Sequence, residues 1–262
     1  MSALLGKSER QLLGRLLEVC WGAQRPGVYP EVALGDLMGR GEVVRLLELP
    51  RQEYSVSEAK LMALAALTVR VRARVAFEFG TADGRTTRNL AANIAADGRV
   101  YTLSLPLEQD AVHRQLQTVP IGARFRGTPE ADRITQLWGD SRTFDFTPYE
   151  GRCQLVFLDA DSSDAAVWAD SQTALRLVDR TSGLILWNDA LKYGWQTALP
   201  RLARQGGWPI HLISDIGLAL LCFMDGQPVL PHVWSESIES YPAAQAEENG
   251  LVAIERGPLA SG

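Results

Sequence analysis

The chain has 262 residues, 46% of them hydrophobic, which is enough apolar material for one large buried core. Its 26 basic and 31 acidic residues give a net charge of −5 and gather into no basic stripe, which argues against a nucleic-acid partner. Three scattered cysteines (Cys20, Cys153, Cys222) without a C-x-x-C pair, a start (MSALLGKSERQ) without a secretory pattern, and no apolar run near the roughly 18 residues of a membrane span together lead to the expectation of a reduced, cytoplasmic protein with no membrane partner.

Residues 1–74 read as a helical cap or lid. SERQLLGRLLEVC opens with Ser8 and Gln11 in capping-box spacing and sets Leu12, Leu13, Leu16, Leu17 and Cys20 on one helical face. After the break RPGVYP come two short helical candidates, around Val32 to Met38 and Glu42 to Leu49. A longer one follows, SVSEAKLMALAALTVRV, with Ser57 as its cap. The alternating run VRVRARV reads as a polar face leading into a strand.

From Val75 the texture changes to short apolar runs separated by helical segments, the pattern of a parallel sheet covered on both faces. Strands are expected at Val75–Phe79, Arg99–Ser104, Ile134–Trp138, Gln154–Leu158 and Gly183–Trp187. Helices are expected at Arg85–Ala96, Leu107–Thr118, Asp164–Val178 and Gly194–Arg204, the last interrupted by Pro200. WPIHLIS and GLALLCF are separated only by DI, too little for a crossover, so they should pair antiparallel. The fold class is therefore α/β, a Rossmann-like doubly wound sheet of seven strands, mostly parallel, ending in an antiparallel hairpin. Residues 75–225 form this core, and 226–262 form a tail, irregular or an interface arm, which would suit a homodimer.

In VAFEFGTADGRTTRNLA a strand, a turn with Gly80 and Gly84, and a helix follow directly on one another. Glycine lets a ligand approach the backbone, and a helix start offers free N–H groups. The spacing G-x-x-x-G departs from the dinucleotide pattern G-x-G-x-x-G, which disfavours a nicotinamide-dependent oxidoreductase, and no Gly-Lys-Ser/Thr follows as in a phosphate loop. Glu78 sits in an otherwise apolar strand, where a carboxyl needs a partner or a ligand.

FEFGTADGRTTRNLA, GRVYTLSLP, ITQLWGDSRTFDF, LVFLDADSSDAAV and SGLILWNDA, in that order, resemble the class I S-adenosylmethionine-dependent methyltransferases, and more narrowly their small-molecule O-methyltransferase branch. The resemblance covers about Val75 to Phe223. It implies S-adenosylmethionine as cofactor, with Glu78, Gly80, Thr81 and Gly84 at its methionine moiety and Asp140 and Ser141 near the adenine. It also implies a small-molecule acceptor bearing a hydroxyl. Gly80, Ser104, Asp140, Asp159 and Asn188 all fall at the carboxyl ends of expected strands, where ligands bind in doubly wound sheets.

The chain departs from that family at two places and matches some of its members at a third. Ser104 stands where an acid usually grips the ribose hydroxyls. Ser162 stands where related sequences often carry a histidine base, and His113, His211 and His232 lie elsewhere. Asp159, Asn188 and Asp189 match the positions from which some relatives hold Mg²⁺, and their oxygens suit a hard cation that lowers the pKa of a substrate hydroxyl. The same Asn188 and Asp189 could instead cap the turn. Asp159 is the expected catalytic residue, as base or metal ligand, with Lys192 and Tyr193 at the rim and Trp21 or Tyr29 as apolar surface of an acceptor pocket. The alternative is a methyltransferase-like subunit that binds but no longer transfers methyl groups.

Overall fold

The computed structural model describes residues 29–39, 41–48, 55–106, 108–109, 119–190 and 195–240. In chain order its elements are β1 (Glu31–Val32), α1 (Leu34–Leu37), α2 (Glu58–Arg70), β2 (Val75–Phe79), α3 (Arg85–Asn93), β3 (Arg99–Ser104), β4 (Ile134–Trp138), β5 (Leu155–Leu158), α4 (Asp164–Leu177), β6 (Leu184–Trp187), α5 (Trp195–Gly206), β7 (His211–Ile213), β8 (Leu218–Met224), β9 (Gln227–Val229) and α6 (Pro231–Ser240). The strands form one sheet in the order β4-β3-β2-β5-β6-β8-β7-β1, with β9 added along β8. Strands β2 to β6 pair parallel, and β8 runs antiparallel to β6, β7 and β9. The expected Rossmann-like sheet with its terminal hairpin is thus present, and two short strands extend it.

Strands β5, β6 and β8 are buried along their whole length, which is why they read as unbroken apolar runs and not as alternating ones. Their side chains still divide between two faces. Phe157, Leu186 and Leu220 pack with Leu64, Leu67 and Leu90 of α2 and α3 and with Trp234 of α6. Val156, Ile185, Trp187 and Leu221 pack with Val167, Ala174, Leu199 and Leu202 of α4 and α5. Toward the β3 edge the second face is closed by rings: Phe77, Phe79, Phe146 and Tyr149 lie with centroids 5.1 to 5.6 Å apart.

Several expectations are corrected. Residues 42–48 form no helix. They run irregularly past α3, where Asn93 and Asn89 act as a substitute strand edge. Arg45 N–H donates to Asn93 Oδ1 (2.8 Å) and Asn93 Nδ2 to the Arg45 carbonyl (2.8 Å). Leu47 N–H donates to Asn89 Oδ1 (2.7 Å) and Asn89 Nδ2 to the Leu47 carbonyl (2.8 Å). The 32–38 candidate keeps only one helical turn, because Glu31 and Val32 pair with Leu212 and Ile213. Helix α3 ends at Asn93, since the Ala95 N–H is taken by the Ala73 carbonyl. Helix α5 passes through Pro200 without ending.

Residues 227–240, expected to be irregular or an arm, form β9 and α6. The fully buried Trp234 anchors this helix, a burial that contributes roughly 4 to 6 kcal/mol relative to an exposed indole. The expected helices at 8–20 and over most of 107–118, Trp21, Lys192, Tyr193, His113 and the tail beyond Ser240 lie outside the described residues. No helix among the described residues is long and apolar enough to cross a membrane.

The chain leaves β2 for β3 and β4 on one side, then returns to β5 on the other. A crevice therefore opens at the carboxyl ends of β2 and β5, the topological switch point at which doubly wound sheets bind ligands.

Candidate functional site

At this switch point Gly80 and Asp159 meet. Gly80 follows β2 with φ +94°, and its N–H donates to the Leu103 carbonyl while Asp159 N–H donates to that of Phe79. A Cβ on Gly80 would lie 2.3 Å from the Asp159 carbonyl oxygen, so the residue type is dictated both by conformation and by space. Gly84, with φ +87°, caps α3. The place of its absent side chain is filled by Phe125 and Gly122 of the chain itself, which accounts for this glycine through packing. The 121–125 loop is fastened there by Gly122 N–H to the Ala82 carbonyl and by Arg124, whose N–H donates to the Asp83 carbonyl and whose Nε donates to Asp83 Oδ2 (2.6 Å).

Glu78 is fully buried one residue before the end of β2. The sheet register places Thr102 and Gln136 level with it on β3 and β4. Thr102 Oγ1 donates to Glu78 Oε2 (2.7 Å), as does Thr87 Oγ1 from α3, and Gln136 Nε2 donates to Thr81 Oγ1 (3.0 Å), itself 2.8 Å from Thr102 Oγ1. Among the described residues Glu78 Oε1 has no hydrogen-bond partner. Burial pushes the Glu78 carboxyl up to about 8, against the two threonine hydroxyls that favour its charge; the nearby Asp159 and Asp83 raise it further. A buried acceptor oxygen left without a donor costs about 1–3 kcal/mol, so the site suits a ligand that brings an N–H or a positive charge.

Next along the sheet edge, Ser104 ends β3, and its carbonyl accepts from Gly139 N–H, which joins it to Asp140 and Ser141 after β4. Asp140 is held in a bidentate pair by Arg142, whose hydrogen bonds keep its carboxyl below the usual range. Asp170 of α4, buried beside this group, has its carboxyl raised to about 6 by burial, with Ser141 opposing the shift. Glu108, four residues beyond Ser104, is exposed.

On the other side of the switch point lie Asp159, Asn188 and Asp189. Asn188 Nδ2 donates to Asp159 Oδ1 (2.6 Å), and Asp189 is in the left-handed region (φ +49°), where aspartate is tolerated better than most residues. Lys60, in the first turn of α2, reaches this group: its Nζ donates to Asn188 Oδ1 (2.8 Å) and to Asp189 Oδ1 (2.6 Å). These three residues, matched in sequence to a Mg²⁺ site, do not fit a divalent cation in this arrangement. Two of their oxygens already serve an ammonium, and an ion sharing them would stand about 4 Å from it and be repelled by about 8 kcal/mol at an effective dielectric near 20.

Of the other residues singled out in sequence, Ser162 is exposed, and its neighbour Asp161, also exposed, accepts from Ser163 N–H (2.8 Å), just ahead of α4. His211 is buried in β7, its Nδ1 2.9 Å from the Pro209 carbonyl, and His232 is exposed on α6. Tyr29 is half-buried and packs against the core that lies under α4 and α5. Cys153 and Cys222 are buried and unpaired with each other. Lys60, Thr87, Thr102, Gln136 and Asp170 escaped the sequence reading. Thr102 and Gln136 did carry a signal, as polar residues near the carboxyl ends of two adjacent strands.

Residues 77–190 match a family model described as a methyltransferase domain. Solved structures similar to this chain include cofactor-bound Rv0187 from MTB, 26% identical over 69% of this chain and 85% of that one, with a TM-score of 0.48. The O-methyltransferase from Bacillus cereus in complex with SAH is 21% identical over 67% of this chain and 84% of its own, with a TM-score of 0.51. The O-methyltransferase TomG from Streptomyces achromogenes, involved in tomaymycin synthesis and in complex with SAM, is 19% identical over 68% and 92%, with a TM-score of 0.50. The last two carry the likeness of fold. No curated protein matches the chain.

Proposed function

From the match of residues 77–190 to a methyltransferase domain, we propose that the protein is a class I, S-adenosylmethionine-dependent methyltransferase and that it methylates a hydroxyl oxygen of a small molecule. The observation that carries this reading is the switch-point crevice, where buried Glu78, with one oxygen lacking a donor, stands behind the Gly80 turn and beside Asp159. Glu78, Gly80 and Thr81 would hold the methionine end of the cofactor, with the Gly84 backbone at the start of α3 beside them. Ser104, Asp140 and Ser141 would hold its nucleoside end. S-adenosylmethionine supplies a methyl group on a sulfonium that leaves as a neutral thioether.

The work left to the chain is orientation and removal of one proton. Asp159, its Oδ1 fixed by Asn188 Nδ2, takes that proton from the acceptor hydroxyl. Buried Thr102 and Thr87 orient Glu78 for the donor groups it meets. Incubating the full chain with labelled S-adenosylmethionine and a panel of phenols, sugars, amines and thiols tests the reading. Label in a methyl ether supports it, and label only on nitrogen or sulfur acceptors contradicts it.

A second reading, a subunit that binds cofactor without transferring methyl groups, is favoured by Ser104 and by the lack of a histidine at Ser162. It predicts cofactor binding with no product from any acceptor.

A further inference from the structure

We propose that the Lys60 ammonium is the resident cation of the Asp159–Asn188–Asp189 cluster, in the place a divalent metal would take, so that this site neither binds nor needs one. The geometry is that of a built site. Lys60 Nζ contacts oxygens of both Asn188 and Asp189, and Asn188 passes the link on to Asp159 through its amide N–H. The ion pair is largely sheltered, the Lys60 side chain being 14% exposed and that of Asp189 24%.

Position follows from local structure. Ser57 caps α2 by accepting from the Lys60 N–H, which fixes Lys60 in the first turn, and the lysine stem runs past Gly217, where a Cβ would stand 3.9 Å from Lys60 Cε, an ordinary contact. Two of the three ammonium N–H groups are used by Asn188 and Asp189, and the described residues supply no partner for the third. Under the methyltransferase reading, on which this extension rests, that N–H is the donor that draws the acceptor oxygen to Asp159. It gives the substrate a directional hydrogen bond where a metal would give a coordinate bond. The chemistry favours an acceptor that presents a hydroxyl or phenolate to a single donor, over a catechol-like pair of oxygens that chelates an ion.

The test uses Mn²⁺ as the probe, followed by electron paramagnetic resonance on the full chain without cofactor or acceptor. Its outcome is therefore independent of whether the protein transfers methyl groups. The wild type and Lys60→Arg should leave millimolar Mn²⁺ free in solution. Lys60→Ala should gain one Mn²⁺ per chain, tightening binding at least tenfold, and Asp189→Asn added to it should remove that gain. Wild-type binding of Mn²⁺ that is lost in Asp189→Asn would overturn the proposal, as would a folded Lys60→Ala that stays silent. Should Lys60→Ala fail to fold, Lys60→Gln carries the same two outcomes.

Discussion

Gly80 and Asp159 are so close that a single methyl group cannot be added between them: a Cβ on Gly80 would meet the Asp159 carbonyl oxygen at 2.3 Å. The contact joins the turn after β2 to the end of β5, the two strands that flank the switch point. Gly80→Ala should therefore cost more than the roughly 1–2 kcal/mol of a left-handed alanine, because backbone must also move. Chemical denaturation reads the loss, and a variant as stable as wild type would mean that the turn and Asp159 are not in contact.

Glu78 makes stability depend on pH in a specific direction. Its carboxyl goes from an ordinary 4.5 when unfolded to about 8 when folded, chiefly through burial, so between those values the folded state holds a proton that the unfolded state has released. Stability from this group is full below about 4.5 and falls as pH rises toward about 8, by up to about 1.4 kcal/mol per pH unit. Glu78→Gln should flatten that slope across the same window in urea titrations. An identical slope in both proteins would show that Glu78 is ionised throughout.

The Asn89 and Asn93 pairings predict a local opening and no global collapse. Asn89→Ala removes both hydrogen bonds to Leu47 and should cost about 1–3 kcal/mol. Hydrogen exchange should speed up at the Leu47 amide before it does in β5 or β6, and unchanged protection at Leu47 would contradict the pairing.

Ser104→Asp is expected to tighten S-adenosylhomocysteine binding. A charge-assisted hydrogen bond to a ribose hydroxyl adds about 1.5–3 kcal/mol, or roughly ten- to a hundredfold. Weaker or unchanged affinity would remove Ser104 from the ribose site.

Strands β5, β6 and β8 were legible in the sequence because burial on both faces forces continuous apolar runs, and β2, β3 and β4 have the very bounds expected of them. Glu78 was legible for the converse reason, a carboxyl among apolar neighbours. Residues 42–48 were not, since their hydrogen bonds go to two asparagine side chains more than 40 residues away, and no local pattern encodes that. Lys60 looked like one more charge at the start of an amphipathic helix. Its meaning lies in a contact spanning 129 residues, which only the packing of α2 beside β6 supplies. The triad itself could be read as metal ligands or as a capped turn, and the ammonium between its oxygens tells how the chain uses it.

The most direct measurement is calorimetric titration of the full chain with S-adenosylhomocysteine, which binds without turnover. The account predicts one site per chain, saturable below millimolar concentration, with heat diminished or lost in Gly80→Ala. It also predicts proton release near pH 7 as a positively charged ligand group meets Glu78, seen as a heat that varies with the ionisation enthalpy of the buffer. No detectable heat from wild-type protein at millimolar ligand would contradict it.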